Sequence, residues 1–367
     1  MKQLNIAIIG LGNIGSYLYK YLKENKKILT IKNNCSPVVK FVSARNKNKT
    51  RKIKIPKREW LKNYLDATKL KDIDLIVELI GGAEGPAKKL VFAALKNKKN
   101  VVTANKALIA KYGDELSRIA EKNKVNLEFE ASVCGGVPIV RLLKEGLIAN
   151  KISKIYGIFN GTSNYILSSM DKQKKSFNDV LSNAKKLGYA ESNPSADLNG
   201  DDVSSKLKIL SSLCFSSFLN NNIYVEGIKN IDRVDIDNAN KLGYKIKLLG
   251  FAELLDNKFY QRVHPTLIKK ESYVASIDGV LNAVIVDGKP VGRSVIQGEG
   301  AGPEATTSAL ISDISSILRG NVKFPFSISN KERKNTKKQR EQGRLRQGLH
   351  EVIPWRKVLE CRHCKAF

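Results

Sequence analysis

At 367 residues, with 42% hydrophobic and 27% charged side chains, the chain has apolar material for two packed domains, and its composition excludes a disordered protein. Its formal charge of +29 raises the question of nucleic acid, but through residue 320 the lysines are scattered over helix faces and turns, often beside Asn, so no binding stripe forms and nucleic acid is not an expected partner. The longest weakly polar run, 207–219, is too short for a membrane span, no secretory signal precedes the first strand, and the scattered Cys35, Cys134, Cys214, Cys361 and Cys364 suggest no disulfide framework, so a cytoplasmic globular protein is expected.

Leu4 and the run 6–9 predict a buried parallel strand, and Gly10, Gly12 and Gly15 follow as G-x-G-x-x-G before a helical stretch over 16–22. In such a turn the first glycine makes the tight bend, the second lets a pyrophosphate approach the backbone, and the third lets helix and strand pack closely. Free N–H groups at the helix start then favour the phosphates. A dinucleotide site is therefore expected at Gly10, Gly12, Asn13, Ile14 and Gly15.

A second strand over 38–44 ends in Arg45-Asn-Lys-Asn-Lys49, where an NAD-specific fold carries an acid for the ribose 2′-hydroxyl. No acid stands there. Arg45, with Lys47 or Lys49, suits a 2′-phosphate, so NADP is expected ahead of NAD; a solvated basic loop is the plain alternative.

Strands over 74–79, 100–103 and 126–131, with helices over about 86–97 and 106–122, complete a doubly wound, Rossmann-type parallel unit over 1–135. Beyond Gly135 and Gly136 the texture becomes α+β. Amphipathic helices over 139–149, 177–187 and 202–218 alternate with strands over 152–159, 258–265 and 283–286, which suggests a helix-covered sheet in a second domain over 136–300. A helix over 307–318 lies in a segment, 301–320, that returns to the first domain. Residues 323–367 carry 13 Lys or Arg against 4 Asp or Glu, with little apolar periodicity before Val352, so 321–367 reads as a basic, disordered or loosely attached tail that turnover can spare. The Cys361-Arg-His-Cys364 pair has no second pair to close a tetrahedral zinc site.

Six motifs then fall in order: Thr103-Ala-Asn-Lys-Ala107, Phe129-Glu-Ala-Ser-Val-Cys-Gly-Gly-Val-Pro138, Phe159-Asn-Gly-Thr-Ser-Asn-Tyr-Ile-Leu167, Leu187-Gly-Tyr-Ala-Glu191, Ala196-Asp-Leu-Asn-Gly-Asp-Asp202, and Lys206. Asp202 and Lys206, four residues apart on one predicted helix, share a face, either as a surface ion pair or as two groups aimed into a pocket. Glu191, Asp197, Asp201 and Asp202 gather carboxylates in an otherwise cationic chain, which suits a substrate carrying an ammonium group. Over residues 4–320 this ordered set resembles homoserine dehydrogenase.

The resemblance implies hydride transfer between C4 of a nicotinamide and a substrate carbon, interconverting L-homoserine and L-aspartate 4-semialdehyde on the route to threonine and methionine. It implies Lys206 as proton donor and, in reverse, as base, with Asp202 orienting it and Lys106 as a second candidate beside cofactor and substrate. A lysine at its unperturbed pKa of ~10.4 is a ready acid and a poor base, so the reverse step needs burial or a neighbouring cation. Glu191 and Asp197, with Asp202, are implied as binders of the substrate amino group. Lys106, Gly188 and Gly302 join Arg45 and the glycine turn as expected cofactor contacts.

Glu130, Val133, Gly135 and Val137 match the family's monovalent-cation site, where one carboxylate and several backbone carbonyls hold sodium; an ordinary glycine-rich crossover is the alternative. A homodimer through the sheet of the second domain is also implied. The ACT domain of longer members has no counterpart in the tail, so amino-acid feedback is not expected. An acylating semialdehyde dehydrogenase needs a nucleophilic Cys near a His, and the chain offers only His264, His350 and His363, with Cys134 in a glycine-rich turn.

Overall fold

The computed structural model describes residues 2–219, 223–255, 258–320, 322–334 and 352–354. The chain divides into two compact units: unit 1 comprises 1–148, 216–219 and 301–335, and unit 2 comprises 149–215, 220–300 and 336–367. Among the described residues no helix is long and apolar enough to cross a membrane.

Unit 1 contains β1 (Gln3–Ile9), α1 (Asn13–Glu24), α2 (Lys26–Asn33), β2 (Ser36–Ser43), β3 (Leu75–Glu78), α3 (Pro86–Lys96), β4 (Asn100–Thr103), α4 (Lys106–Asn123), β5 (Leu127–Glu128) and the single turn α5 (Ile139–Arg141). Its five strands are parallel in the order β2-β1-β3-β4-β5. Strand order reverses between β1 and β3, and open α/β sheets bind ligands at the carboxyl edge of that point. Ile6, Ala7, Ile8 and Ile9 are all buried, as a strand covered on both faces requires. One core joins Ile6, Ile8, Leu18, Leu22 and Val39 to Leu310, Ile314 and Ile317, residues more than 270 positions later in the chain.

Unit 2 contains β6 (Lys151–Ile158), α6 (Gly161–Gln173), α7 (Phe177–Lys186), α8 (Ser195–Asn199), α9 (Asp201–Phe215), β7 (Tyr224–Val225), α10 (Arg233–Lys241), β8 (Tyr244–Leu255), β9 (Lys258–Lys269), β10 (Leu281–Lys289), β11 (Gly292–Glu299) and β12 (Val352–Pro354). Six of its strands run in the order β11-β10-β6-β8-β9-β12, with β7 beside β9. Helix α9 packs on β6 and β8, where Gly250 allows close approach: a Cβ there would fall 2.6 Å from the Phe159 ring and 3.1 Å from Val203 of α9. The helix α11 (Pro303–Leu318) returns to unit 1.

Three differences from the sequence reading concern the extent of unit 1. The junction lies near 148 instead of 135. The expected helix over 139–149 is one α turn followed by a π turn (Leu142–Gly146), held in unit 1 by Arg141 on Asp313 at 3.0 Å and Lys144 on Glu128 at 2.8 Å. Ion pairs between distant residues leave no trace in local periodicity.

The third difference is the segment 322–334, expected as part of the loose tail and instead packed in unit 1. Phe326 is fully buried with its ring 5.3 Å from that of Phe129. The buried Arg333 guanidinium stands 4.2 Å over Phe326 and 4.7 Å over Phe218, and donates to the Ser217 carbonyl (2.8 Å) and the Asp114 carboxylate (2.7 Å). Two isolated anchors on an irregular backbone suffice for this, and neither produces a periodic pattern. Residue 321 and residues 335–351, together with the Cys361 and Cys364 pair, lie outside the described residues.

Phe326→Ala should therefore destabilise unit 1 by about 3–5 kcal/mol, the scale for emptying a buried aromatic site. Urea unfolding followed by a unit 1 probe measures it. Unchanged stability would return 322–334 to the status of a dispensable tail.

Candidate active site

In unit 1 the turn between β1 and α1 is built from close contacts. Gly10 has φ +111°, and a Cβ there would meet the Leu79 carbonyl oxygen at 2.4 Å; a Cβ at Gly15 would meet the Gly10 oxygen at 2.0 Å. Gly12 is exposed, with open space where a Cβ would project. It is the N-cap of α1, with no side-chain cap and no acid in the first turn, so the exposed Asn13 and half-buried Ile14 begin a helix whose first N–H groups no side chain caps.

Arg45 is exposed just past β2. The loop after it is gathered by Arg51, which donates to the carbonyls of Asn46 (2.7 Å), Lys47 (3.1 Å), Lys49 (2.8 Å) and, across in the glycine turn, Leu11 (3.1 Å). Sequence reasoning passed over Arg51 because one more cation in a Lys-rich stretch has no distinguishing pattern.

Lys106, half-buried, is the first residue of α4. Asn105 before it caps the helix through Leu108 N (3.1 Å) and donates to the Gly82 carbonyl (2.7 Å). The Asn105 N–H reaches Thr103 Oγ1 at 2.9 Å, and that hydroxyl donates to the buried Glu78 carboxylate at 2.5 Å. Glu78 also accepts from Ile80 N and Gly81 N, so the carboxyl edges of β3 and β4 are tied together. Gly302, exposed at φ +110°, is the N-cap of α11.

The residues read as a cation set also lie in unit 1. Buried Glu130 accepts N–H bonds from Val140 (2.9 Å) and Arg141 (2.5 Å), and the Val137 carbonyl accepts from Ile139 N at 2.8 Å. Val133 is buried and Gly135 has φ +50°. A carboxylate offers about four acceptor positions, so two N–H bonds leave capacity for an ion. Among the described residues no group of three or more His, Cys, Asp or Glu could hold a metal, so carbonyl oxygens would have to supply most of the ligands. Burial pushes Glu130 up to about 7 against the lowering effect of the two N–H groups, Arg141 and Lys144. Burial likewise raises Asp313 well above the usual carboxylate range.

In unit 2 the left-handed Gly200 (φ +88°) breaks α8 from α9. This leaves Asp197 on one helix and Asp202 in the first turn of the next, where a carboxylate is favoured by the helix dipole. Lys206 lies one turn on, 8% exposed beside an Asp202 that is 5% exposed. Its Nζ sits 2.8 Å from Asp202 Oδ2 and donates to the Phe159 carbonyl at 2.6 Å. At the end of β6, Asn160 donates to both Asp202 Oδ2 (2.9 Å) and Asp197 Oδ1 (2.7 Å), while its own oxygen caps α6 through Ser163 N (2.8 Å).

Gly188 (φ +75°) and Glu191 are exposed on the next loop, which α6 holds through Thr162 Oγ1 on the Tyr189 carbonyl at 2.7 Å and the Tyr165 and Tyr189 rings at 5.0 Å. The structure thus joins Asp197, Asp202 and Lys206 in one network. Asn160, the residue that joins them, was in a recognised motif, but its role was not read; an Asn at a strand-to-helix turn signals a cap and says nothing of its second contact.

Comparison with known proteins adds to this geometry. A family profile described as "Homoserine dehydrogenase, NAD binding domain" matches residues 10–130, and one described as "Homoserine dehydrogenase" matches 138–315. The homoserine dehydrogenase of Neisseria gonorrhoeae is 42% identical over 320 residues, covering 87% of this chain and 73% of its own length. That of Helicobacter pylori is 43% identical, covering 87% and 74%. The crystal structure of a homoserine dehydrogenase from Thiobacillus denitrificans superposes with a TM-score of 0.84 at 42% identity, over 87% of this chain and 74% of that one.

The buried Glu130 sets a pH dependence. Its folded pKa of about 7 lies above the unfolded value, so its protonated form favours folding below about 4.5, and this contribution is lost as pH rises from about 4.5 through 7. In buffer free of alkali cations, Glu130→Gln should flatten the fall of unfolding free energy across that window. An unchanged slope in denaturant titrations at pH 5, 6 and 8 would contradict it.

Proposed function

The chain belongs to the homoserine dehydrogenase family, and on that premise we propose how its own residues carry the reaction and which cofactor they accept. The reaction interconverts L-homoserine and L-aspartate 4-semialdehyde by hydride transfer. NADP, the preferred dinucleotide in this reading, supplies or receives the hydride when bound.

The observation that carries the chemistry is the buried Lys206 ammonium, fixed between Asp202 and the Phe159 carbonyl and joined through Asn160 to Asp197. As the aldehyde carbon accepts hydride, Lys206 gives its proton to the oxygen, and C=O becomes CH–OH; in the other direction the neutral amine takes the hydroxyl proton. Asp202 holds the lysine in place. Asp197, with Glu191 from the exposed loop, pairs with the substrate ammonium. Lys106 at the start of α4 is the second candidate for proton transfer.

For the cofactor, the open surface at Gly12 and the uncapped start of α1 suit a pyrophosphate, with Asn13 and Ile14 beside it and Gly188 and Gly302 as further contacts. Arg45 takes the 2′-phosphate, supported by the lack of an acid at the end of β2 and by the cationic loop that Arg51 gathers. Sodium held by Glu130 and the carbonyls of Val133, Gly135 and Val137 fits the hard oxygen donors and would offset the cost of ionising Glu130; its addition at pH 8 should raise the melting temperature over a choline buffer. A homodimer through the unit 2 sheet, supported by the edge strand β11 with Val295 on the surface, and a cytoplasmic setting complete the reading.

Absorbance at the reduced-nicotinamide band, with L-homoserine and each cofactor in turn, tests the whole. Lys206→Ala should lower kcat by roughly 10²–10⁴-fold with cofactor affinity little changed. Near-normal kcat there, with activity abolished in Lys106→Ala, would move proton transfer to Lys106. Arg45→Asp should lower the ratio of kcat/KM for NADP over NAD by about tenfold or more, a loss on the scale of one charge-assisted phosphate contact. An equal or higher ratio would remove Arg45 from the 2′-phosphate site.

A further inference from the structure

We propose that Asn282 is a positioning residue for Lys206, acting through the Phe159 carbonyl; the inference rests on the assignment of proton transfer to Lys206. Asn282 lies in β10 and is fully buried. Its Nδ2 donates to the Phe159 oxygen at 3.1 Å, the same oxygen that receives Lys206 Nζ at 2.6 Å. A carbonyl oxygen has two lone pairs. The amide and the ammonium occupy both, so β10 fixes the point against which α9 holds its lysine.

The other end of the amide shows that packing alone does not account for it. Asn282 Oδ1 is buried with no hydrogen-bond partner. An unpaired buried oxygen is destabilising, and an apolar side chain of similar shape would remove it. Turning the amide over would set Oδ1 against the Phe159 oxygen, so the observed orientation is the one that keeps the donor in place. Gly300 accommodates the group: a Cβ at 300 would fall 2.2–2.3 Å from Cγ, Nδ2 and Oδ1 of Asn282.

The test uses the full chain with Asn282→Leu and Asn282→Asp. Acetylation of Lys206 by acetic anhydride, quantified by peptide mass spectrometry across pH, reports the anchoring of the ammonium independently of turnover. Asn282→Leu should label Lys206 about threefold faster or more, lower kcat about tenfold, and leave the melting temperature equal to or above the wild type. Asn282→Asp places a carboxylate near the ammonium and should move the pH profiles of labelling and of kcat upward. Unchanged labelling and pH profiles in both variants overturn the proposal, as does a lowered melting temperature in Asn282→Leu with normal kcat and labelling. Absence of homoserine turnover in the wild type would overturn the functional reading, while labelling still decides the role of Asn282.

Discussion

Burying the Lys206 and Asp202 pair is the constraint on which unit 2 turns. Two charges withdrawn from water lose hydration that their mutual attraction offsets only when the remaining donors and acceptors are also satisfied. Here the Asn160 amide shares Asp202 Oδ2, and the Phe159 carbonyl accepts a hydrogen bond from the lysine ammonium. Those contacts dictate the local chain path. β6 must end at Ile158 so that Phe159 and Asn160 turn toward α9, α6 must start at Gly161 under the Asn160 cap, and Gly200 must interrupt the helix before Asp201.

In unit 1 the corresponding constraint is backbone crowding. Gly10 and Gly15 have main-chain atoms where any side chain would project, whereas Gly12 faces open space. The first two draw β1, β3 and α1 together; the third leaves the helix end open. Elsewhere in the unit, buried Glu128, Glu130, Asp313 and Lys144 meet the half-buried Arg141, a charged cluster that ties α11 to the segment after β5.

Local patterns were legible in the sequence and non-local satisfaction was not. The glycine turn and the spacing of Asp202 and Lys206 are encoded within a few residues, and strand–turn–helix context or helical periodicity reads them directly. Arg51, Asn160 and Asn282 act through contacts to distant carbonyls and carboxylates, which no window of neighbouring residues contains. Strand β8 escaped for a related reason: Lys247 interrupts its apolar run, yet is buried against Asn164 Oδ1, the Ile277 carbonyl and Asp278. Phe326 and Arg333 show the same limit, since a basic segment without periodicity looks solvated until its two anchors find their pocket.

The assembly of unit 1 from three separate stretches of chain bears on biosynthesis. Leu310, Ile314 and Ile317 share a core with Ile6, Ile8 and Leu18, so a nascent chain that has released its first 148 residues still exposes the apolar face that α11 covers. Translation at about 5–20 residues per second takes roughly 10–30 s to traverse the intervening ~170 residues. During that interval the nucleotide-binding sheet exists without its closing helix, while the β6 to β11 sheet is synthesised in full. The domain that begins first thus receives its closing helix only after strands β6 to β11 of the second have been made, and until then the apolar side chains that α11 covers stay open to water.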